Sequence, residues 1–237
     1  MKKLLTMILA GVLALGSYAQ ELEGKWSVEG QNPKGQGYEG ELTMIKSSEL
    51  FYRMQWNIFY DNKSQAEVFP GTGFLDKKNN KLIAAYGIGS LRYGLFTYDL
   101  NESGGLEGTG SWTSHLGRGA ELIGGVLKKE QLPGIYEIVG KRSLGDMKLG
   151  VTSTYKGTLK IEKEGDLYKL NWYLGDGTPY EGFGYVSGGN LIGVWGIGGS
   201  FGLEIYDLDE DMKKGKSSWT SPSYDYQKGQ ESIQKAK

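Results

Sequence analysis

The same ordered series of short motifs runs through this chain twice, and that repeat constrains the fold more than any other feature. Gly24-Lys-Trp26-Ser-Val28-Glu-Gly30 returns as Gly134-Ile-Tyr136-Glu-Ile138-Val-Gly140, and Tyr38-Glu-Gly40-Glu-Leu42 as Tyr155-Lys-Gly157-Thr-Leu159. Tyr52-Arg-Met54-Gln-Trp56 returns as Tyr168-Lys-Leu170-Asn-Trp172, and Tyr86-Gly87-Ile88-Gly89 as Trp195-Gly196-Ile197-Gly198. Tyr98-Asp99-Leu100, Ser111-Trp112-Thr113-Ser114 and Gly119-x-Glu121 have counterparts in Tyr206-Asp207-Leu208, Ser218-Trp219-Thr220-Ser221 and Gly229-x-Glu231. A series kept in order over this length describes one domain written twice. The polar stretch Lys128-Lys129-Glu130-Gln131 separates the copies, so the expected units are one β-barrel repeat at 20–128 and another at 129–237.

Each copy reads as eight β-strands, because apolar and polar residues alternate and the runs are cut by Gly, Pro, Asn and Asp. In the first copy the strands are expected near 24–31, 36–46, 50–58, 66–75, 80–88, 93–100, 105–113 and 118–126. No window keeps a helical period. Asn32-Pro33-Lys34-Gly35 and Glu164-Gly165-Asp166 have hairpin-turn chemistry, and short connections make successive strands antiparallel. Eight such strands close into an up-and-down barrel, which removes exposed edges. Glycine supplies 39 of 237 residues, more than twice its usual share of about 7%, and is expected at the bends and bulges of a small, sharply coiled barrel. The fold class that follows is all-β: two tandem eight-stranded antiparallel up-and-down β-barrels after a signal peptide.

The opening Gly24-x-Trp26, followed by eight short antiparallel strands, resembles the calycin group of barrels, meaning lipocalins, fatty-acid-binding proteins and avidins. The second copy carries Gly134-x-Tyr136 at the same place. The resemblance implies an enclosed ligand cavity and names no ligand.

Residues 1–19 place Lys2 and Lys3 ahead of an apolar run from Leu4 to Leu15 and the exit Ser17-Tyr18-Ala19, the pattern of a secretory signal peptide. The expected localisation is therefore periplasmic or secreted. No later run approaches the ~20 apolar residues of a membrane helix, so no membrane span is expected. The absence of cysteine excludes a disulfide framework and leaves stability to packing and strand pairing. Removing the leader's two lysines from the 27 basic residues leaves 25 against 28 acidic ones. With no basic stripe, nucleic acid and anionic membrane surfaces are poor partners.

Spacing between matched residues changes wherever one copy has a longer loop. Trp26 and Tyr136 lie 110 positions apart, Tyr38 and Tyr155 117, Trp56 and Trp172 116, and Trp112 and Trp219 107. The loops after odd-numbered strands carry most of this variation, and in an up-and-down barrel those loops share one rim. Variable loops on a constant scaffold mark the working end, while Trp26 and Tyr136 would plug the other. Aromatics that end odd strands, Trp56, Tyr86 and Trp112 in one copy and Trp172, Trp195 and Trp219 in the other, are expected to form an inward collar there. Glu121 and Glu231 stand beside it. The collar either stacks on a ligand or fills the barrel, since eight strands enclose room for only one of these. The glutamates either orient a polar ligand group or accept hydrogen bonds from indoles and phenols.

Nucleophilic catalysis needs Cys with His, or Ser with His and a carboxylate. This chain has no Cys and one histidine, His115, which has no counterpart in the second copy. Asp99-x-Asn101-x-Ser103-Gly104 and Asp207-x-Asp209-x-Asp211 begin like calcium loops, but Gly110 and Ser218 stand where the closing Glu belongs, so hairpin turns are expected. Gly196-Ile-Gly198-Gly199-Ser-Phe-Gly202 leads into a strand, leaving no helix N-terminus to hold phosphate. The expectation is a non-enzymatic binding protein without cofactor or metal, holding a small-molecule, lipid or carbohydrate ligand at the aromatic mouth of each barrel. The alternative is a protein-interaction module of adhesin or inhibitor type. Its barrels would be filled and its loops would expose Phe59, Tyr60, Phe69, Tyr173, Tyr180, Phe201, Tyr224 and Tyr226 to a protein partner. An empty space of about 300 Å³ or more separates the first from the second.

Overall fold

The computed structural model describes residues 22–61, 64–89, 92–100, 106–114, 117–124, 132–144 and 152–236. The expected signal peptide at 1–19, the 128–131 linker, His115 and the 101–104 turn lie outside them. In the first copy the strands are β1 (Gly24–Gln31), β2 (Gly37–Lys46), β3 (Phe51–Tyr60), β4 (Glu67–Asp76), β5 (Lys81–Gly87), β6 (Tyr93–Leu100), β7 (Leu106–Ser114) and β8 (Gly117–Ile123). The second copy supplies β9 (Gly134–Leu144), β10 (Thr152–Glu164), β11 (Leu167–Leu174), β12 (Pro179–Ser187), β13 (Asn190–Gly196), β14 (Phe201–Leu208), β15 (Lys214–Thr220) and β16 (Gly229–Lys235). Alternation explains the outer strands. In β3, Tyr52, Met54, Trp56 and Ile58 are buried while Arg53 and Gln55 face water. The first hairpin closes on Asn32, whose Oδ1 accepts from the backbone N–H of Lys34 at 3.0 Å and of Gln36 at 3.1 Å. The acidic 207–211 segment is likewise a turn, with Asp209 Oδ1 taking the N–H of Lys213 at 2.7 Å.

The strands form two closed eight-stranded antiparallel barrels, but the barrels are not the two sequence copies. One barrel contains β1–β5 and β14–β16, sealed where β1 pairs with β16. The other contains β6–β13. Strand β5 pairs with β14, setting Ala85 opposite Leu203, and β13 pairs with β6, setting Val194 opposite Leu95. The expected units 20–128 and 129–237 are therefore corrected: each barrel draws five strands from one copy and three from the other. The β6–β13 barrel is a continuous stretch inserted into the split β1–β5/β14–β16 barrel.

Two physical facts account for the exchange. First, β6 and β14 share Gly-Leu and Tyr-Asp-Leu at matching places, so either offers the same hydrogen-bonding edge to β5. Second, the exchange gives β5, β6, β13 and β14 a common apolar layer outside both barrels. Ile83, Ala85, Phe201 and Leu203 pack there against Tyr93, Leu95, Phe183, Ile192 and Val194, with the Phe183 and Phe201 rings stacked at 5.8 Å. These strands are buried on both faces, a condition that near-continuous apolar runs satisfy.

Strand polarity is nonetheless strictly alternating, so in each barrel the loops after odd-numbered repeat strands gather at one end. The opposite end is closed in the same way twice. Trp26 donates its indole N–H to the Leu22 carbonyl at 3.0 Å, and Tyr136 donates its hydroxyl to the Leu132 carbonyl at 2.7 Å. All four side chains are buried.

Candidate functional site

At the open end, each barrel holds a cavity: about 330 Å³ in the split barrel and about 240 Å³ in the inserted one. All eight residues singled out in the sequence line these cavities, but regrouped by the strand exchange. Trp56, Tyr86, Trp219 and Glu231 share the split-barrel mouth; Trp112, Glu121, Trp172 and Trp195 share the inserted one.

Beneath both cavities the side chains build one hydrogen-bond network twice. In the split barrel, Trp219 donates its N–H to the Tyr38 hydroxyl at 2.7 Å and Trp56 donates to the Tyr206 hydroxyl at 3.0 Å. Tyr38 and Tyr206 in turn donate to the two oxygens of Glu231, at 3.1 and 2.5 Å. In the inserted barrel, Trp112 donates to Tyr155 at 2.9 Å and Trp172 to Tyr98 at 2.9 Å. Tyr155 and Tyr98 donate to Glu121 at 2.7 and 2.5 Å. Each carboxylate thus accepts two phenols, and each phenol accepts an indole, so the buried groups satisfy one another. Burial and the adjacent carboxylate push Tyr98 and Tyr206 far above the ordinary tyrosine range, which keeps both as donors.

The four tyrosines were not singled out as site residues in the sequence, although their recurrence at matched positions was visible. Glycine also has a role beyond bends. The rings of Trp219 and Trp112 lie on Gly229 and Gly119, where an added Cβ would sit 2.2 and 2.4 Å from ring carbons. Gly119→Ala or Gly229→Ala is expected to cost about 1–3 kcal/mol through overpacking. Denaturant unfolding followed by Trp emission measures it.

The two networks differ at one inward position of the exchanged strand. The inserted barrel has Phe96 there, packed at 5.4 Å on Trp172, whereas the split barrel has a second carboxyl, Glu204. Glu204 accepts from the Ser217 hydroxyl at 2.6 Å and lines the same cavity as Glu231. Burial, then the Glu231 charge, holds Glu204 well above the usual carboxylate range. Burial pushes Glu231 up to about 7, opposed by the hydrogen bonds from Tyr206 and Tyr38. Two neighbouring buried carboxyls do not ionise together, so the pair holds a proton. Glu121, alone in its barrel, is also raised by burial, with the bonds from Tyr98 and Tyr155 pulling it down. Alternation could have revealed Glu204, since Gly202, Glu204 and Tyr206 fall on one face and that face is inward.

The mouths differ in charge as well. Arg92 and Arg142 line the inserted-barrel cavity, with Arg142 5.6 Å from the centre of the Tyr155 ring. The split-barrel rim carries Lys34 and Glu67. Of the aromatics expected to face a protein partner, Phe59 and Tyr173 are strongly exposed. Tyr60, Phe69 and Tyr224 line the split-barrel cavity and Tyr180 the inserted one. Phe201 is buried between the barrels, and Tyr226 packs edge-on against Phe183 in the same layer. They are drawn inward because each ends a strand or loop at a mouth or at the seam between barrels. Among the described residues no group of three or more His, Cys, Asp or Glu is arranged to hold a metal ion, and no helix is long and apolar enough to cross a membrane. No family model, no curated protein and no solved structure matches this chain.

Proposed function

We propose that this chain is a non-enzymatic, periplasmic or secreted binding protein whose barrels each hold a compact ligand at an aromatic-lined mouth. The observation that carries the reading is the pair of open cavities at the same end of two barrels with closed bases. The larger, about 330 Å³, falls within the range of small-ligand sites, roughly 300–1,000 Å³; the smaller, about 240 Å³, falls below it, so the split barrel carries the reading more strongly. Indole and phenol rings offer broad stacking surfaces, and a fixed carboxylate beneath them orients polar groups. A calycin-like architecture, in which a barrel encloses its ligand, agrees with this. The protein-interaction alternative loses support because most of its aromatics line cavities or the seam.

Five of the six tryptophans line the mouths and the sixth, Trp26, closes a base, so intrinsic emission reports on binding directly. The test is a screen of sugars, lipids and small heterocycles against the full chain by emission and thermal shift. At least one compound should raise the melting temperature by several degrees and change emission, with the response lost in Trp219→Ala or Trp112→Ala. A screen in which nothing binds either mouth overturns the reading.

A further inference from the structure

We propose that the split-barrel cavity is a site for a small organic cation, such as a protonated amine, and that the inserted barrel excludes the same ligand. The proposal rests on the small-ligand reading above and names its ligand class.

The comparison between barrels carries the argument. Both need one carboxylate to satisfy two tyrosines, and the inserted barrel shows that Glu121 suffices, with Phe96 2% exposed where the split barrel has Glu204. Glu204 is therefore surplus to the scaffold. It is only 3% exposed and lies against Glu231, itself 7% exposed, and burying a second carboxyl beside the first is costly. A cation seated over the pair removes that cost.

The walls suit the same charge. The Tyr86 ring stands at 62° to Trp56, 81° to Phe69 and 82° to Trp219, with centroids 6.2–6.4 Å apart. Such an upright box of rings presents electron-rich faces, the recognition chemistry of ammonium groups. At the rim Lys34 already holds its ammonium 5.9 Å from the centre of the Tyr224 ring. Tyr86, nine-tenths buried, lines the cavity beside Glu204 and Glu231. The inserted cavity instead combines Phe96 with two guanidinium groups, Arg92 and Arg142, which repel a cation.

Binding exchanges one positive charge for another. The ammonium N–H groups donate to Glu204 and Glu231, the proton held by the pair leaves to solvent, and no covalent bond changes. The groups facing the pair are Tyr38 on β2, Tyr60 on β3, Tyr86 on β5, Tyr206 on β14 and Tyr224, with Glu67 and Lys34 at the rim. Burial keeps Tyr38, Tyr60, Tyr86 and Tyr206 neutral, so the two glutamates set the pH response.

The experiment is calorimetry on the full chain with benzylammonium, 2-phenylethylammonium and tryptammonium, each beside its neutral isostere. Titrations at pH 7 in phosphate and in Tris count released protons. At least one amine should bind tenfold or more tightly than its isostere, release up to one proton, and bind more tightly at pH 8 than at pH 6. Glu204→Gln should weaken it at least tenfold and abolish proton release. Glu204→Phe, which copies the inserted barrel, should abolish binding while keeping the native circular dichroism. Equal affinity for amine and isostere, unchanged affinity in Glu204→Gln, or hits confined to neutral or anionic compounds would overturn the cation assignment and leave the small-ligand reading standing. Failure of every compound in both experiments overturns that reading too.

Discussion

A chain carrying Lys81→Cys and Asp207→Cys is expected to oxidise almost completely to an intrachain disulfide, while one carrying Lys81→Cys and Asp99→Cys stays reduced. Lys81 of β5 lies directly opposite Asp207 of β14, and the two side chains form an ion pair. Facing residues of antiparallel strands have Cα atoms about 4.5–5.5 Å apart, inside the span of roughly 4.4–6.8 Å that a disulfide bridges. Asn190 of β13 faces Asp99 of β6 in the same manner, so Asn190→Cys with Asp99→Cys should also cross-link. Had each copy closed on itself, Lys81 would face Asp99 and Asn190 would face Asp207. The chain has no native cysteine, so no other thiol competes. Non-reducing electrophoresis after limited proteolysis reads the result, and efficient bonding of positions 81 and 99 would refute the exchanged topology.

Most of the architecture was legible because its determinants are local. The alternation of Tyr52, Met54, Trp56 and Ile58, the Asn32 turn and the ordered repeat specify strands, polarity and the open rim without reference to distant contacts. The partner of β5 was not legible in the same way, because β6 and β14 present interchangeable edges. One clue did point past the single barrel. Leu82-Ile83-Ala84-Ala85-Tyr86 and Leu191-Ile192-Gly193-Val194-Trp195 lack the alternation of β3 and are buried on both faces, as strands between two packed layers must be. At the mouths, the tryptophans and Glu121 and Glu231 were legible from their recurrence. Glu204 was not, because it has no counterpart in the other copy: repetition reveals what the scaffold requires and hides what one barrel adds.

That addition has a direct consequence for stability. Unfolding free energy is expected to fall as pH rises from about 5 to about 8, against the usual behaviour of carboxylates held in ion pairs. Glu231 titrates near 7 in the folded chain and near its ordinary 4.5 when exposed. Between those values the folded chain binds a proton that the unfolded chain has released, so raising the pH favours unfolding. Each such group contributes about 1.4 kcal/mol per pH unit, or about 3 kcal/mol for Glu231 across its window. Glu204 and Glu121 are shifted in the same direction by burial, so their losses add to that of Glu231. The contribution is fully present below about pH 4.5 and is lost as pH rises through the folded values. Urea unfolding at half-unit intervals gives the slope, which counts the protons. Glu204→Gln removes one titrating carboxyl and relieves the charge on its neighbour, so its slope should be shallower. A wild-type curve that is flat or rises from pH 5 to pH 8 would mean that these glutamates are ionised in the folded state, and the shared proton at the floor of the split barrel would be ruled out.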